Sequence, residues 1–162
     1  MRYRHQLLSQ EPVDITPTNK GSFLWSQAKN INDFENEFSL KKVSVKGMFD
    51  FNSEFSVEKN QNGEKGVEII TPFYTHLNEK GEECGILVNR GWVPLDLHGM
   101  KMTYTGVGAG TIVGLLYRGD AKTKYSLPNE PIIDRFTTVE PSDFALLAKM
   151  NNREEASKFM LL

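Results

Sequence analysis

The residues of this 162-residue chain that could do chemistry are three histidines, one cysteine, two acidic pairs and an arginine set inside an apolar run. His5, His76 and His98 lie far apart, and none belongs to a His-Glu-x-x-His word, so they read as surface or loop side chains. Cys84 is the only cysteine, which excludes an intramolecular disulfide and any multi-cysteine zinc site. It reads as a small buried side chain ahead of a strand. Glu82-Glu83 and Glu154-Glu155 sit in polar stretches and read as solvated charge. Gly106, Gly108 and Gly110 alternate, but they lack the Lys-Ser/Thr of a phosphate loop and the third-glycine spacing of a dinucleotide loop, so they predict a flexible connection. There is no Gly-x-Ser-x-Gly elbow. No catalytic, cofactor-binding or metal-ligating residue is assigned, and the chain is not expected to be an enzyme.

Arg90 is the exception that needs an explanation. It lies in Leu87-Val88-Asn89-Arg90-Gly91-Trp92-Val93-Pro94, and a charge inside an apolar strand is costly unless something satisfies it. Regular strand alternation would place Val88, Arg90 and Trp92 on one face, with Leu87, Asn89 and Val93 on the other. The guanidinium would then lie near the Trp92 indole. Two roles follow for Arg90. One is an internal clamp, tying loop carbonyls or a carboxylate while Trp92 covers it. The other is a partner contact, with Arg90 and Trp92 as interface anchors. Gly91 permits a bulge or a close backbone approach, and Pro94 ends the strand. Arg118 closes a second apolar strand and carries the same two readings. The candidate structural or partner-contact residues are therefore Asn89, Arg90, Gly91, Trp92, Pro94 and Arg118.

The elements that must position these residues are mainly strands. Arg2 to Leu8 could form a short helix, Pro12 and Pro17 force an extended passage, and Gly21 to Lys29 reads as loop. Asn32-Asp33 would cap a helical turn with Phe34 and Phe38 on one face. From Lys42 the period becomes two, with Val43, Val45, Gly47, Phe49 and Phe51 alternating with polar residues. Phe55 and Val57 continue after an Asn52-Ser53 turn, which predicts a hairpin. A polar loop over Asn60 to Gly66 precedes a strand from Val67 to Phe73, with Pro72 implying an edge or a bulge. Further strands run over Ile86 to Val93 and Thr111 to Arg118. Pro141 opens a helix with Asp143 in its first turn and a stripe of Phe144, Leu147 and Ala148. Asn151-Asn152 ends it or caps another, and Lys158 to Leu162 forms a last strand or a packing tail. The expected class is α+β: an antiparallel sheet or small barrel with short peripheral helices. One domain over 1–162 is expected, divided into an N-terminal helix and irregular arm (1–40), a β-rich core (41–139) and a C-terminal helix and tail (140–162).

Composition narrows the function classes. Nineteen Lys and Arg against twenty-one Asp and Glu give a net charge of −2, so no global field favours nucleic acid or anionic lipid. The longest apolar stretches, such as Ile112 to Tyr117, fall far short of the roughly 20 residues that cross a bilayer. Met1 to His5 contains no apolar signal core, so targeting is not visible.

The word Val88-Asn89-Arg90-Gly91-Trp92-Val93-Pro94 resembles the signature of the Surfeit locus protein 1 family. Other words of that family occur in order: Glu11-Pro12-Val13, Lys42 to Asp50, Thr71-Pro72-Phe73, Gly114-Leu115-Leu116-Tyr117-Arg118 and Pro128-Asn129-Glu130-Pro131. The resemblance implies a non-catalytic assembly factor or accessory subunit of mitochondrial cytochrome c oxidase. It would be a docking domain peripheral to the inner membrane on the intermembrane-space side, with oxidase or other respiratory-complex subunits as partners. The family's flanking membrane helices have no counterpart here, so membrane contact would be indirect. Some bacterial relatives bind haem through a histidine associated with the second membrane helix, and no haem ligand is carried over. Two alternatives stand beside this reading: a carrier of haem or another small apolar ligand inside the barrel, and, more remotely, a barrel for single-stranded nucleic acid.

Overall fold

The computed structural model describes residues 11–38, 41–95, 109–120, 129 and 136–162. The expected helix over Arg2 to Leu8, His5, His98, Gly106 and Gly108 lie outside them, as does most of the Pro128 to Phe136 segment.

In chain order the elements are β1 (Val13–Asp14), a 3-10 turn (Leu24–Gln27), α1 (Ile31–Phe38), β2 (Lys42–Phe49), a 3-10 turn (Phe51–Ser53), β3 (Phe55–Gln61), β4 (Glu64–Leu77), β5 (Glu83–Pro94), β6 (Ala109–Tyr117), α2 (Pro141–Leu147), α3 (Arg153–Ala156) and β7 (Met160–Leu161). The strands form one seven-stranded sheet in the order β1-β2-β6-β7-β5-β4-β3, and a further pairing of β2 with β4 joins it back on itself. Five strands, β2, β6, β7, β5 and β4, thus make a closed ring, with β1 and β3 as outriders. The architecture is the expected α+β barrel with short helices. Most joints are antiparallel, while β1 on β2 and β7 on β5 are parallel.

Closure depends on places where backbone meets backbone without room for a side chain. A Cβ at Gly47 would lie 2.2 Å from the Tyr74 carbonyl oxygen, where β2 reaches β4. On the opposite side, Leu115 and Leu162 exchange both backbone hydrogen bonds (3.2 and 2.9 Å), and Gly114 leaves space for the Leu162 carbonyl. The C-terminal segment is thus a ring member and not a loose tail.

Side chains from all five ring strands meet in one cluster: Val43 and Val45 from β2, Phe73 from β4, Ile86 and Val88 from β5, Leu161 from β7, with Ile112 and Leu116 of β6 packed against them. That cluster is therefore the inside of the ring. Phe23, Trp25, Phe34 and Phe159 plug it, with Trp25 stacked on Phe23 (4.6 Å) and Phe34 on Phe38 (4.5 Å). A second cluster covers the outside of β3, β4, β5 and β7 with α2 and α3 through Phe136, Phe144, Ala145 and Met150.

Several local expectations are corrected. The Gly21 to Lys29 stretch contains a 3-10 turn that buries Trp25, because the indole donates to the Glu155 carbonyl (2.9 Å). The start of α1 is capped by Asn30, whose Oδ1 accepts from the Asn32 amide (2.9 Å). β2 and β3 do not form a hairpin: β3 pairs with β4, while β2 pairs with β1, β6 and β4. The true hairpin is β3–β4, and Asn60 to Gly66 is mostly strand. Its turn is Asn62-Gly63, both at positive φ (50° and 79°), the left-handed pair that matches strand twist. Pro72 sits at no bulge but at a local edge within β4. β3 leaves β4 at Ile70 and β2 joins at Phe73, so the missing N–H falls where β4 changes neighbours. The Pro72 carbonyl there still accepts from the Asp50 amide (3.0 Å). In α2, Phe144 is buried and Ala148 packs against the same cluster as expected, but Leu147 is 38% exposed and Ala145 is buried in its place.

Candidate functional site

β5 carries the Asn89 to Pro94 word, and its register against β4 breaks there. Asn89 pairs with Ile70 and Trp92 with Glu68, so Arg90 and Gly91 together oppose the single residue Ile69. This is a β-bulge. Gly91 takes φ +105°, a conformation side chains other than hydrogen resist, although nothing would touch an added Cβ. Asn89 Oδ1 accepts from the Gly91 amide (2.9 Å) and fixes the bulge from inside the loop it makes.

The extra residue overturns the expected facing. Cross-strand partners share a face, and Glu68 and Ile70 are two apart, so Trp92 now lies on the Asn89 side. Arg90 is left on the side of Val88 and Thr71. The indole does not cover the guanidinium. Regular alternation fails here because one inserted residue reverses every later side chain.

Arg90 instead meets Glu54, which follows the Phe51–Ser53 turn. The Glu54 side chain is 3% exposed, and its Oε1 accepts from both Arg90 Nη1 and Thr71 Oγ1 (2.8 Å). The guanidinium lies 5.4 Å from the Phe49 ring centre and 5.0 Å from that of Phe51, with the two rings stacked at 5.4 Å. Phe49 packs in turn on buried Phe73 (4.7 Å). The charge is thus matched by a carboxylate and roofed by two aromatic faces.

On the opposite face, the Asn89 Nδ2 donates to Glu68 Oε2 (2.9 Å) and to Tyr117 Oη (3.0 Å). Asn89 is only 5% exposed, and its amide is fully engaged. Burial pushes the Tyr117 phenol up to about 12, with the bond from Asn89 acting in the opposite direction. Trp92 Nε1 donates to the Lys59 carbonyl (2.8 Å), and the indole fills the space above Gly66, where a Cβ would lie 2.3 Å from ring carbons. Lys59 then pairs with Asp120, whose Oδ2 also accepts from the Val139 amide (2.8 Å). Pro94 stands opposite Gly66 at the end of β5.

Arg118 does not join this constellation. It is half exposed, donates to Asn32 Oδ1 (3.2 Å) and lies 3.7 Å from Glu35, which tethers α1 to the end of β6. Glu155 is also not the solvated charge its polar setting suggested. Its carboxylate accepts from the Phe23 amide (2.8 Å) and from Asn152 Nδ2 (3.3 Å), holding the N-terminal arm against α3. Residues missed in the sequence include Glu54, Glu68, Tyr117 and the Lys59–Asp120 pair. The one signal for Glu54 was an acidic residue lodged within the run Phe49, Phe51, Phe55.

The remaining chemistry-bearing groups are held in inert settings. Cys84 is buried and its thiol is pushed up by desolvation, against a reactive role. His76 is buried against Phe23 (5.5 Å) beside Thr75 Oγ1 (2.8 Å). Among the described residues no group of three or more His, Cys, Asp or Glu is placed to hold a metal ion.

The chain is thus a closed barrel whose signature strand has its polar side-chain atoms bonded within the body, on both faces of β5. The family model described as the SURF1 family matches residues 1–159, nearly the whole chain. The chain belongs to the SURF1 family, a family of cytochrome c oxidase assembly factors. A search among curated proteins finds no significant match.

Proposed function

We propose that this chain is a non-catalytic assembly factor or accessory subunit of mitochondrial cytochrome c oxidase. It works as a docking domain, peripheral to the inner membrane on the intermembrane-space side. Family membership over residues 1–159 carries the proposal. The site geometry agrees with it, because Asn89, Arg90 and Trp92 have their polar atoms bonded to Glu68, Tyr117, Glu54 and Lys59. The signature therefore shapes the body, and other surfaces meet the partner. No helix among the described residues is long and apolar enough to cross a membrane, so attachment through oxidase or other respiratory-complex proteins is part of the proposal.

The test is co-migration. Inner membranes solubilised gently enough to keep respiratory complexes intact are separated on a native gel and probed for this chain. A band shared with cytochrome c oxidase or one of its assembly intermediates supports the reading, and a chain that never runs with either overturns it.

A further inference from the structure

The α2–α3 hairpin presents an open groove of about 850 Å³, remote in sequence from the Arg90 word. Its walls carry Lys149, Arg153 and Lys158 against one acid, Glu154, although the chain as a whole is net negative. Glu154 lies 3.8 Å from Lys158, with its side chain 90% exposed, an arrangement that contributes little by itself. Lys149 and Arg153 have no ion-pair partner among the described residues. The next acid along, Glu155, is turned inward onto the Phe23 amide and does not neutralise them. Beside these cations stands Leu146, 54% exposed, an apolar side chain with no cover.

The backbone that frames the groove is tied down by hydrogen bonds. The Met150 amide closes on the Ala145 carbonyl (3.1 Å) and the Lys149 amide on Leu146 (3.1 Å), while the Met150 side chain is buried beneath. Asn152 then bonds both the amide (3.0 Å) and the carbonyl (2.7 Å) of Gly85, bolting the hairpin to β5. A framed backbone beneath the cations and the apolar anchor lowers the part of the ordering cost of binding that falls on the main chain. A groove open to solvent does not surround a small molecule but accepts a chain laid along it.

We propose that this groove docks an acidic peptide segment of a partner protein, with an aliphatic side chain on Leu146 and carboxylates on Lys149 and Arg153. Charge complementarity selects the occupant, and the inference does not depend on which complex the protein serves.

The full chain is titrated into a short fluorescent peptide of Asp, Glu and Leu, a matching peptide of Lys and Leu, and vesicles containing anionic lipid. The acidic peptide binds, more weakly as salt rises. The double variant Lys149→Glu/Arg153→Glu loses at least roughly tenfold in affinity for it and gains affinity for the basic peptide. Leu146→Ser weakens the acidic peptide alone. Because these three side chains are exposed, an unchanged circular dichroism spectrum is expected for every variant. Failure of the wild type to bind the acidic peptide, equal binding by the charge-reversed variant, or binding to vesicles without binding to peptide would each overturn the proposal.

Discussion

Arg90 on β5 and Glu54, the residue just before β3, form a part-buried ion pair across β4, and the same Glu54 oxygen takes the Thr71 hydroxyl between them. Three consecutive stretches of sheet are thereby fastened at one carboxylate. Arg90→Met strands Glu54 in a site from which water is excluded, so unfolding stability falls by roughly 3–5 kcal/mol. Arg90→Met combined with Glu54→Leu removes both charges and costs much less than the sum of the single changes. A double-mutant cycle by urea denaturation reads the coupling. Strict additivity would mean the two side chains do not depend on one another.

Gly66 on β4 and Gly91 on β5 are glycines for different reasons, and alanine separates them. Gly91→Ala adds a methyl group that touches nothing, so its cost, of order 1–3 kcal/mol, is backbone strain at φ +105°. Gly66→Ala drives a methyl group into the Trp92 indole and should displace it from the Lys59 carbonyl. Tryptophan fluorescence therefore shifts for Gly66→Ala and stays near wild type for Gly91→Ala, while both variants melt earlier.

How much of this was legible beforehand turns on regularity. Val43 to Phe49 obeys period two and Ile86 to Val93 is a short apolar run, so both strands were visible in the sequence, as was the Pro141 helix start. The bulge was not, because alternation carries no mark of an extra residue; only Gly91 hinted at it. That single residue moved Trp92 to the other face and left Phe49 and Phe51 to roof Arg90. Asn62-Gly63 was a readable hairpin turn, hidden by the polar residues that flank it. The partnership of Arg90 with Glu54 spans 36 residues and depends on β3 and β5 flanking β4, a strand order that no local pattern encodes.

Stability should fall at both ends of the pH scale. Burial holds the His76 imidazole below its ordinary 6.5, with nearby Glu155 and a bond with the Gly21 backbone opposing the shift. The folded state therefore binds fewer protons than the unfolded one, and stability present above pH 6.5 declines as pH drops below it. Tyr117 acts in the opposite sense. Its phenol stays protonated up to about 12 in the fold but only to 10 when unfolded, so stability present below pH 10 is lost as pH rises toward 12. Melting temperatures across pH read both limbs, and Tyr117→Phe should flatten the alkaline one.

The C-terminal strand is predicted to be indispensable for folding. Phe159, Met160 and Leu161 are each no more than 1% exposed, and full burial of such side chains contributes roughly 1.5–3 kcal/mol apiece. Losing three, together with the β7 joints to β5 and β6, approaches the roughly 5–15 kcal/mol that holds a domain together. A chain ending at Lys158 should lack a cooperative thermal transition. A sharp transition near that of the full chain would show that the ring closes without β7.

The most direct test of the account is the amount of assembled cytochrome c oxidase in mitochondrial membranes with and without this chain. The account predicts that the assembled oxidase falls when the chain is removed, while other respiratory complexes hold, and recovers when the wild-type chain is restored. Unchanged oxidase in its absence would contradict the docking role.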